Sequence, residues 1–112
     1  MTLYLLYYLK EIEMKINVDE TLKTLDGQIM MDNDGKGNAI EATVKMAIVN
    51  AVLSPVDKES GVDKVKKYEL AKKIYTSDEV DLNEDDIKLI KDRVGEAFPP
   101  VIVGQIYELL KV

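Results

Sequence analysis

The spacing of hydrophobic residues changes near residue 39. Before it, apolar and polar residues alternate, as in Ile16 and Val18 between Lys15, Asn17 and Asp19. This two-residue period is typical of a half-buried strand. Further on, Asp26-Gly27 lies between apolar positions, and this dipeptide favours the positive φ angles of a type I′ turn. The sequence therefore predicts a β-hairpin over residues 15–31.

From residue 39 onwards, apolar residues recur every three or four positions, which is the period of an α-helix. We predict helices over residues 39–53, 60–76, 83–97 and 100–110. The first is apolar nearly all round and is therefore expected to be central and buried. It ends at Pro55, because the residue before a proline avoids the helical region.

The helix over residues 60–76 has two expected faces. Six residues are expected to point inward: Val62, Val65, Tyr68, Ala71, Ile74 and Tyr75. Five lysines are expected on the solvated remainder: Lys64, Lys66, Lys67, Lys72 and Lys73. Between residues 57 and 73 there are six lysines and four acidic residues, a net charge of only +2. This mixture is typical of a solvated helix rather than of a nucleic-acid-binding face.

Capping residues mark the starts of two helices. Ser60 and Asp63 have the spacing of a capping box, and Asn83 precedes three acidic residues that offset the positive end of a helix dipole. Gly104 lies within the last helix at a cost of about 1 kcal/mol, which predicts close approach by another backbone. The fold class expected from these elements is α-dominated α+β, with about four helices after a short N-terminal β-hairpin.

A chain of 112 residues has the size of one domain, which we place over residues 14–112. It contains no Cys, His or Trp. That excludes disulfides, zinc sites built from Cys and His, and every catalytic mechanism that needs a thiol or an imidazole. Carboxylates and lysines remain as bases, but spacing singles out none of them. We therefore expect neither an enzyme nor a bound cofactor.

The polar loop over residues 32–38 resembles the first half of an EF-hand calcium loop. Asp32, Asp34 and Gly37 have the required spacing. Lys36 stands where an oxygen ligand is needed, and Thr43 stands where the loop needs a bidentate Glu. We therefore expect a polar turn and no metal site.

Residues 3–9 form a run of seven apolar or aromatic residues. The run is shorter than the roughly 20 residues of a membrane-spanning helix. It also lacks the basic start and the cleavage site of a signal peptide, so neither membrane insertion nor secretion is expected. Two interpretations of residues 1–13 stay open. They are translated upstream sequence before a natural start at Met14, or an apolar segment that packs on the body of the protein or on a second subunit.

Acidic residues exceed basic ones by 21 to 15, which gives a formal net charge of −6. An acidic chain is repelled by phosphate backbones unless its positive charge is clustered. Arg93 is the single arginine, and arginine is the residue best suited to phosphate and base recognition. Nucleic acid is therefore an unlikely partner on composition alone.

Carboxylates are concentrated in one short segment. Six fall within nine residues, and we call them the acidic segment: Asp78, Glu79, Asp81, Glu84, Asp85 and Asp86. The simplest interpretation is a solvated loop that leads into a helix N-terminus, where acidic residues are favoured in any protein. The functional interpretation is a surface that meets a basic partner, and these six are our candidate partner-binding residues.

Several segments resemble small proteins encoded in the genomes of tailed phages and prophages. They are KKYELAKKIY at 66–75, VDLNEDDIKLIK at 80–91, VG at 94–95 and PPVIVGQ at 99–105, with LDG at 25–27 and NAVL at 50–53 upstream. The resemblance covers roughly residues 22–110. It implies a phage origin, the cytoplasm of the host cell and a natural start near Met14. It implies no activity and supplies no catalytic residues.

The sequence as a whole favours an accessory protein that binds another protein, for example one that inhibits a host or defence factor through the acidic segment. Such binding would weaken with added salt. The alternative is a virion-assembly or structural adaptor that forms homo-oligomers through apolar surface. Its contact would be the helix over 39–53 or residues 3–9, and it would be insensitive to salt.

Overall fold

Helices account for much more of the described chain than strands do. A computed structural model describes residues 14–112, and the N-terminal segment 1–13 lies outside the described residues. In chain order the elements are β1 (Met14–Asn17), β2 (Met31–Asn33), β3 (Ala39–Glu41), α1 (Val44–Leu53), α2 (Gly61–Tyr75), β4 (Glu79–Leu82), α3 (Glu84–Ala97) and α4 (Pro100–Leu110). Over residues 14–112, the expected α-dominated α+β fold with four helices is confirmed.

The strands form two antiparallel pairs. A short pair near residue 14 is present, but the partner of β1 is β4, with Met14 opposite Leu82. The predicted hairpin partner for β1 was therefore wrong. The turn at Asp26-Gly27 does form, with Gly27 at a φ of 86°. However, it pairs only residues 22–24 with residues 28–30, and β1 is not part of this pairing. Alternate residues of β1 and β4 enter the core, and this shared burial selects the distant pairing.

The first helix starts later than predicted. Residues 39–41 form β3, which pairs with β2 across the polar loop, and α1 begins at Val44. Thr43 is its cap, and the Thr43 hydroxyl accepts a hydrogen bond from the Met46 N–H at 3.2 Å. Residues 39–41 form a strand rather than the start of a helix because the polar loop over residues 32–38 reverses the chain, which brings them beside β2. The end of α1 at Leu53, just before Ser54-Pro55, agrees with the prediction.

The described residues share one hydrophobic core, with α1 packed against both α2 and α3. Six of the ten residues of α1 are buried, as expected for a central helix. The remaining core side chains come from the N-terminal region, the other helices and β4. They are Ile16, Val18, Leu22, Leu70, Ala71, Ile74, Val80, Leu82, Ile90, Val94, Ile106 and Leu110.

The orientation of α2 differs from the prediction. Its buried residues are Lys67, Leu70, Ala71 and Ile74. Four of the six residues predicted to point inward are exposed instead: Val62 67%, Val65 54%, Tyr68 59% and Tyr75 59%. Residues that follow one another in steps of three move gradually round a helix of 3.6 residues per turn. The buried residues are spaced three and four apart and therefore stay on one side of the helix. The prediction followed the drifting series, and it was also wrong in placing Lys67 in solvent.

The close approach expected at Gly104 is found at another glycine. A Cβ atom added at Gly104 would have no neighbour within 4 Å, whereas one added at Gly95 would lie 2.7 Å from the Tyr107 hydroxyl oxygen. That hydroxyl donates a hydrogen bond to the Lys91 carbonyl at 2.7 Å. The contact between α3 and α4 is therefore made by a side chain over Gly95.

Candidate protein-binding surfaces

The acidic segment follows β4 into α3. Alternation along β4 places Glu79 and Asp81 outward, while Val80 and Leu82 enter the core. Asp78 lies in the loop before the strand, and the other three carboxylates occupy the first turn of α3. The six predicted residues therefore lie on one continuous and largely exposed stretch of the surface.

Half of these carboxylates have a lysine partner. Asp78 pairs with Lys45 at 2.9 Å, and Asp86 pairs with Lys73 at 3.6 Å. Asp81 lies 4.0 Å from the Lys15 ammonium. Exposed pairs of this kind contribute little to stability, but each one reduces the local negative charge. Among the pairs formed by residues 14–112, none involves Glu79, Glu84 or Asp85.

Asp86 also has a structural role at the start of α3. The Asp86 N–H donates to the Asn83 side-chain oxygen at 2.8 Å. In return, the Asn83 N–H donates to the Asp86 carboxylate at 3.2 Å. This reciprocal capping box satisfies two backbone donors that the helix itself leaves free, and it confirms the predicted cap. Asp86 is therefore a poor candidate for partner binding.

A second surface lies on the outward side of α2. We define the outer face of α2 as Val62, Val65, Tyr68 and Tyr75, each of which is more than half exposed. Within the described chain, α3 has no large hydrophobic residue with comparable exposure. Sequence reasoning identified these four residues but assigned them to the core. The available signal was the spacing of Lys67, which shares its side of the helix with Leu70 and Ile74.

The inward side of α2 carries a buried ion pair. Lys67 pairs with Glu59, and their side chains are 8% and 9% exposed. Arg93 of α3 lies nearby, where its guanidinium donates to Glu96 at 2.9 Å and to the Ser54 hydroxyl at 2.8 Å. Lys67, Glu59 and Arg93 all line a cavity of about 350 Å³ between the two helices. This polar cluster was not predicted.

A larger cleft joins the acidic segment to α2. Its volume is about 610 Å³, and its walls come from α2 on one side and from the start of α3 on the other. Lys66 and Lys73 face Asp85 and Asp86 across it. The lining residues are Lys66, Glu69, Leu70, Lys73, Asn83, Asp85, Asp86 and Leu89. The cleft therefore places unpaired carboxylate charge beside the helix that carries the exposed apolar residues.

The polar loop over residues 32–38 holds itself together. The Asp34 carboxylate accepts hydrogen bonds from the Lys36 N–H at 2.7 Å and from the Asn38 N–H at 3.1 Å. These bonds stabilise the charged form, with the Lys36 N–H as the largest cause, and they lower the pKa of Asp34 below its usual value. Within residues 14–112, no group of three or more acidic side chains is arranged to hold a metal ion.

Comparison with known proteins adds no relative. No family model, no curated protein and no solved structure matches the chain. Between residues 14 and 112, none of the helices combines the length and apolar character needed to span a membrane.

Proposed function

We propose that this chain is a phage- or prophage-encoded accessory protein that acts in the host cytoplasm by binding another protein through the outer face of α2. The observation that carries the proposal is the reversed character of this helix. It buries Lys67 and exposes Val62, Val65, Tyr68 and Tyr75. The phage origin rests on the sequence resemblance alone.

The composition of the outer face suits an interface core. Tyrosine is among the residues most enriched at positions that dominate binding energy, since it combines a large apolar ring with a polar hydroxyl. Tyr68 and Tyr75 lie about two turns apart on one helix, with Val65 one turn before Tyr68. A partner groove that covers these side chains would gain the hydrophobic free energy that the isolated chain leaves in water.

The acidic segment supports the same proposal in a different way. Glu79, Glu84 and Asp85 form no ion pair within the described chain, and Asp85 lines the cleft beside α2. Unpaired surface charge increases the association rate with an oppositely charged surface, and this effect falls as salt increases. We therefore assign most of the affinity to the outer face of α2 and the salt-dependent association rate to these three carboxylates.

The alternative function has two candidate contacts, of which residues 3–9 lie outside the described residues and the helix over 39–53 is mostly inside the protein. The helix predicted over 39–53 begins at Val44, and its exposed apolar side chains are Met46 and Leu53. An oligomer contact on α1 would have only these two side chains to bury. Leu53 is 52% exposed, similar to Val65, and is therefore a matched control position on a different helix.

Co-purification from bacterial host cells tests the proposal. The tagged full chain is compared with Tyr68→Lys, with the control Leu53→Lys and with Asp85→Lys, each at low and high salt. We expect one stoichiometric protein to be captured by the parent and by Leu53→Lys and to be lost from Tyr68→Lys. Asp85→Lys is expected to slow capture at low salt only. Equal capture by Tyr68→Lys, or the absence of any stoichiometric protein, would contradict the proposal.

A further inference from the structure

The cavity of about 350 Å³ between α2 and α3 is lined by buried cations whose hydrogen-bond donors exceed their acceptors. The Lys67 ammonium has three N–H groups, and its contact in the described chain is the ion pair with Glu59. The Arg93 guanidinium donates to Glu96 and to the Ser54 hydroxyl, but within the described chain its Nε–H has no acceptor. Bulk water does not supply the missing acceptors, because Lys67 Nζ and Arg93 Nε are both covered.

Such donors call for an acceptor from outside the chain. Buried polar groups without a partner are rare in folded proteins, and they cost desolvation free energy, most of all when they are charged. In a polar cavity, a bound ion is one of the groups that satisfies them. The volume of this cavity lies within the range of small-molecule sites. It therefore has room for a ligand that provides the acceptors.

The buried side chains of the cavity sum to one positive charge. Lys67, Glu59 and Arg93 are only 8%, 9% and 12% exposed, and two of these three are cations. Glu96 also contacts Arg93, but its side chain is 74% exposed, so solvent screens its charge. A ligand with one negative charge would therefore neutralise the buried groups.

The other lining residues limit the charge and shape of the ligand. Asp63, Asp92 and Lys66 also line the cavity and are exposed, and two carboxylates with one ammonium leave a net charge of −1 at its mouth. This charge repels a doubly charged anion such as sulfate more strongly than a singly charged one. Leu89 contributes an apolar wall. The combination favours a monocarboxylate with a short apolar chain.

We propose that this cavity binds a small monocarboxylate, with Arg93 and Lys67 as the donors. A planar guanidinium presents parallel N–H groups that match the two oxygens of a carboxylate. The Arg93 Nε–H donates to the ligand, and the Lys67 ammonium is shared between the ligand and Glu59. Because both nitrogens are covered, the two side chains turn toward the cavity when the ligand enters. The site lies on the inward side of α2 and is independent of the proposed function.

NMR spectroscopy of the full chain labelled with ¹⁵N tests the site directly. Arg93 is the single arginine, so its Nε–H gives the one arginine Nε signal. Butyrate is the probe, and chloride and sulfate are compared with it at equal ionic strength. We expect butyrate to move the Arg93 Nε–H proton signal downfield to a plateau, because a hydrogen bond to a carboxylate deshields this proton. Neither chloride nor sulfate is expected to produce this plateau.

Two variants assign the shift to the cavity. Lys67→Met combined with Glu59→Leu removes both charges of the buried pair, and we expect it to raise the butyrate concentration at half-saturation about tenfold or more. Lys64→Met is the control, since it removes an exposed lysine of α2 that does not line the cavity, and it should change that concentration by less than about twofold.

The proposal is overturned if butyrate produces no saturable shift in the parent chain. An equal plateau with chloride or sulfate would contradict it as well, because the cavity would then be an adventitious ion site only. Equal half-saturation in the double variant and the parent would place the butyrate elsewhere. None of these readouts involves a protein partner, so they are unaffected by the outcome of the co-purification.

Discussion

Helices α2 and α3 pack against the same central helix and differ on their outward sides. Each begins with a side-chain cap, and each buries residues of the common core. Along α3 the exposed positions are polar or small, whereas α2 exposes four large apolar residues. The fold therefore does not require an apolar outward face on a helix in this position. Packing in the core therefore does not account for the four exposed apolar residues of α2, and this is the surface that the proposal assigns to a partner.

The two helices also differ on their inward sides, where α2 rather than α3 has a charged residue among its buried positions. Ile90 and Val94 of α3 are fully buried, whereas α2 places Lys67 beside Leu70 and Ile74. Burying an ion pair costs desolvation free energy that the attraction between the charges only partly offsets. Both helices bring a charge to this side, since the side chains of Lys67 in α2 and Arg93 in α3 are only 8% and 12% exposed, but only the charge of α2 has a partner that is equally buried. Four predictions follow this comparison, from the largest expected effect to the smallest.

The largest effect is expected at the buried ion pair. Lys67→Met leaves the Glu59 carboxylate buried without its partner, and we expect a loss of about 3–5 kcal/mol in the free energy of unfolding. The double variant Lys67→Met with Glu59→Leu is expected to recover most of this loss, because it removes both charges. Urea unfolding measures both. A single variant as stable as the parent would show that Glu59 finds another partner.

A smaller loss is expected where α3 meets α4. Gly95→Ala places a methyl group 2.7 Å from the Tyr107 hydroxyl oxygen. Overpacking of this kind costs about 1–3 kcal/mol, and the gain of about 1 kcal/mol from alanine in a helix offsets part of it, so we expect a net loss of up to about 2 kcal/mol. Tyr107→Phe in the same chain removes that oxygen and is expected to relieve the clash. Gly104→Ala is the matched control. With open space around it, this substitution should stabilise the fold by about 1 kcal/mol. Thermal unfolding that ranks the two alanine variants in the reverse order would refute the contact.

The helix caps sharpen the comparison between α2 and α3. Asn83 takes part in a reciprocal capping box, whereas the Ser60 hydroxyl only accepts from the Asp63 N–H, at 3.1 Å. We expect Asn83→Ala and Ser60→Ala each to lower the free energy of unfolding by about 1 kcal/mol, because each removes one side-chain acceptor from a helix start. The returned bond is lost only in Asp86→Ala, which we expect to cost about 0.5 kcal/mol more than the matched Asp63→Ala in α2. Chemical denaturation of the four variants gives the comparison, and equal losses for Asp86→Ala and Asp63→Ala would mean that the Asp86 side of the box contributes nothing.

The smallest effect on stability is expected at the outer face of α2. Tyr68→Lys replaces an exposed side chain that makes no hydrogen bond in the described structure. Surface substitutions of this kind stay within about 0.5 kcal/mol of the parent. We expect the urea midpoint of Tyr68→Lys to agree with that of Leu53→Lys. A loss of more than about 2 kcal/mol would assign Tyr68 to the folding of the protein.

Local signals predicted most of the helices. Ser60, Asn83 and Pro55 fix helix starts and ends through contacts a few residues apart, and all three predictions agree with the structure. The start of α1 was misplaced because residues 39–41 suit a strand as well as a helix. Only pairing with β2 decides between them.

The sequence patterns did not identify which distant elements pair or pack with one another. The partner of β1 lies more than 60 residues away, and the period of β1 does not identify it. The inward side of α2 was misassigned because two apolar series overlap on this helix, and only packing against α1 and β4 selects one of them. Within the acidic segment, the capping role of Asp86 was partly visible from Asn83. The pairing of Asp78 with Lys45 needed the folded chain.

The most direct test of the account is the dissociation constant of the captured partner for the parent, for Tyr68→Lys and for Leu53→Lys, measured at high salt where the acidic segment contributes little. An anchor residue in an interface contributes 2 kcal/mol or more, which corresponds to roughly 30-fold. The account predicts a loss of this size for Tyr68→Lys and an unchanged constant for Leu53→Lys. Equal constants for Tyr68→Lys and the parent would contradict it.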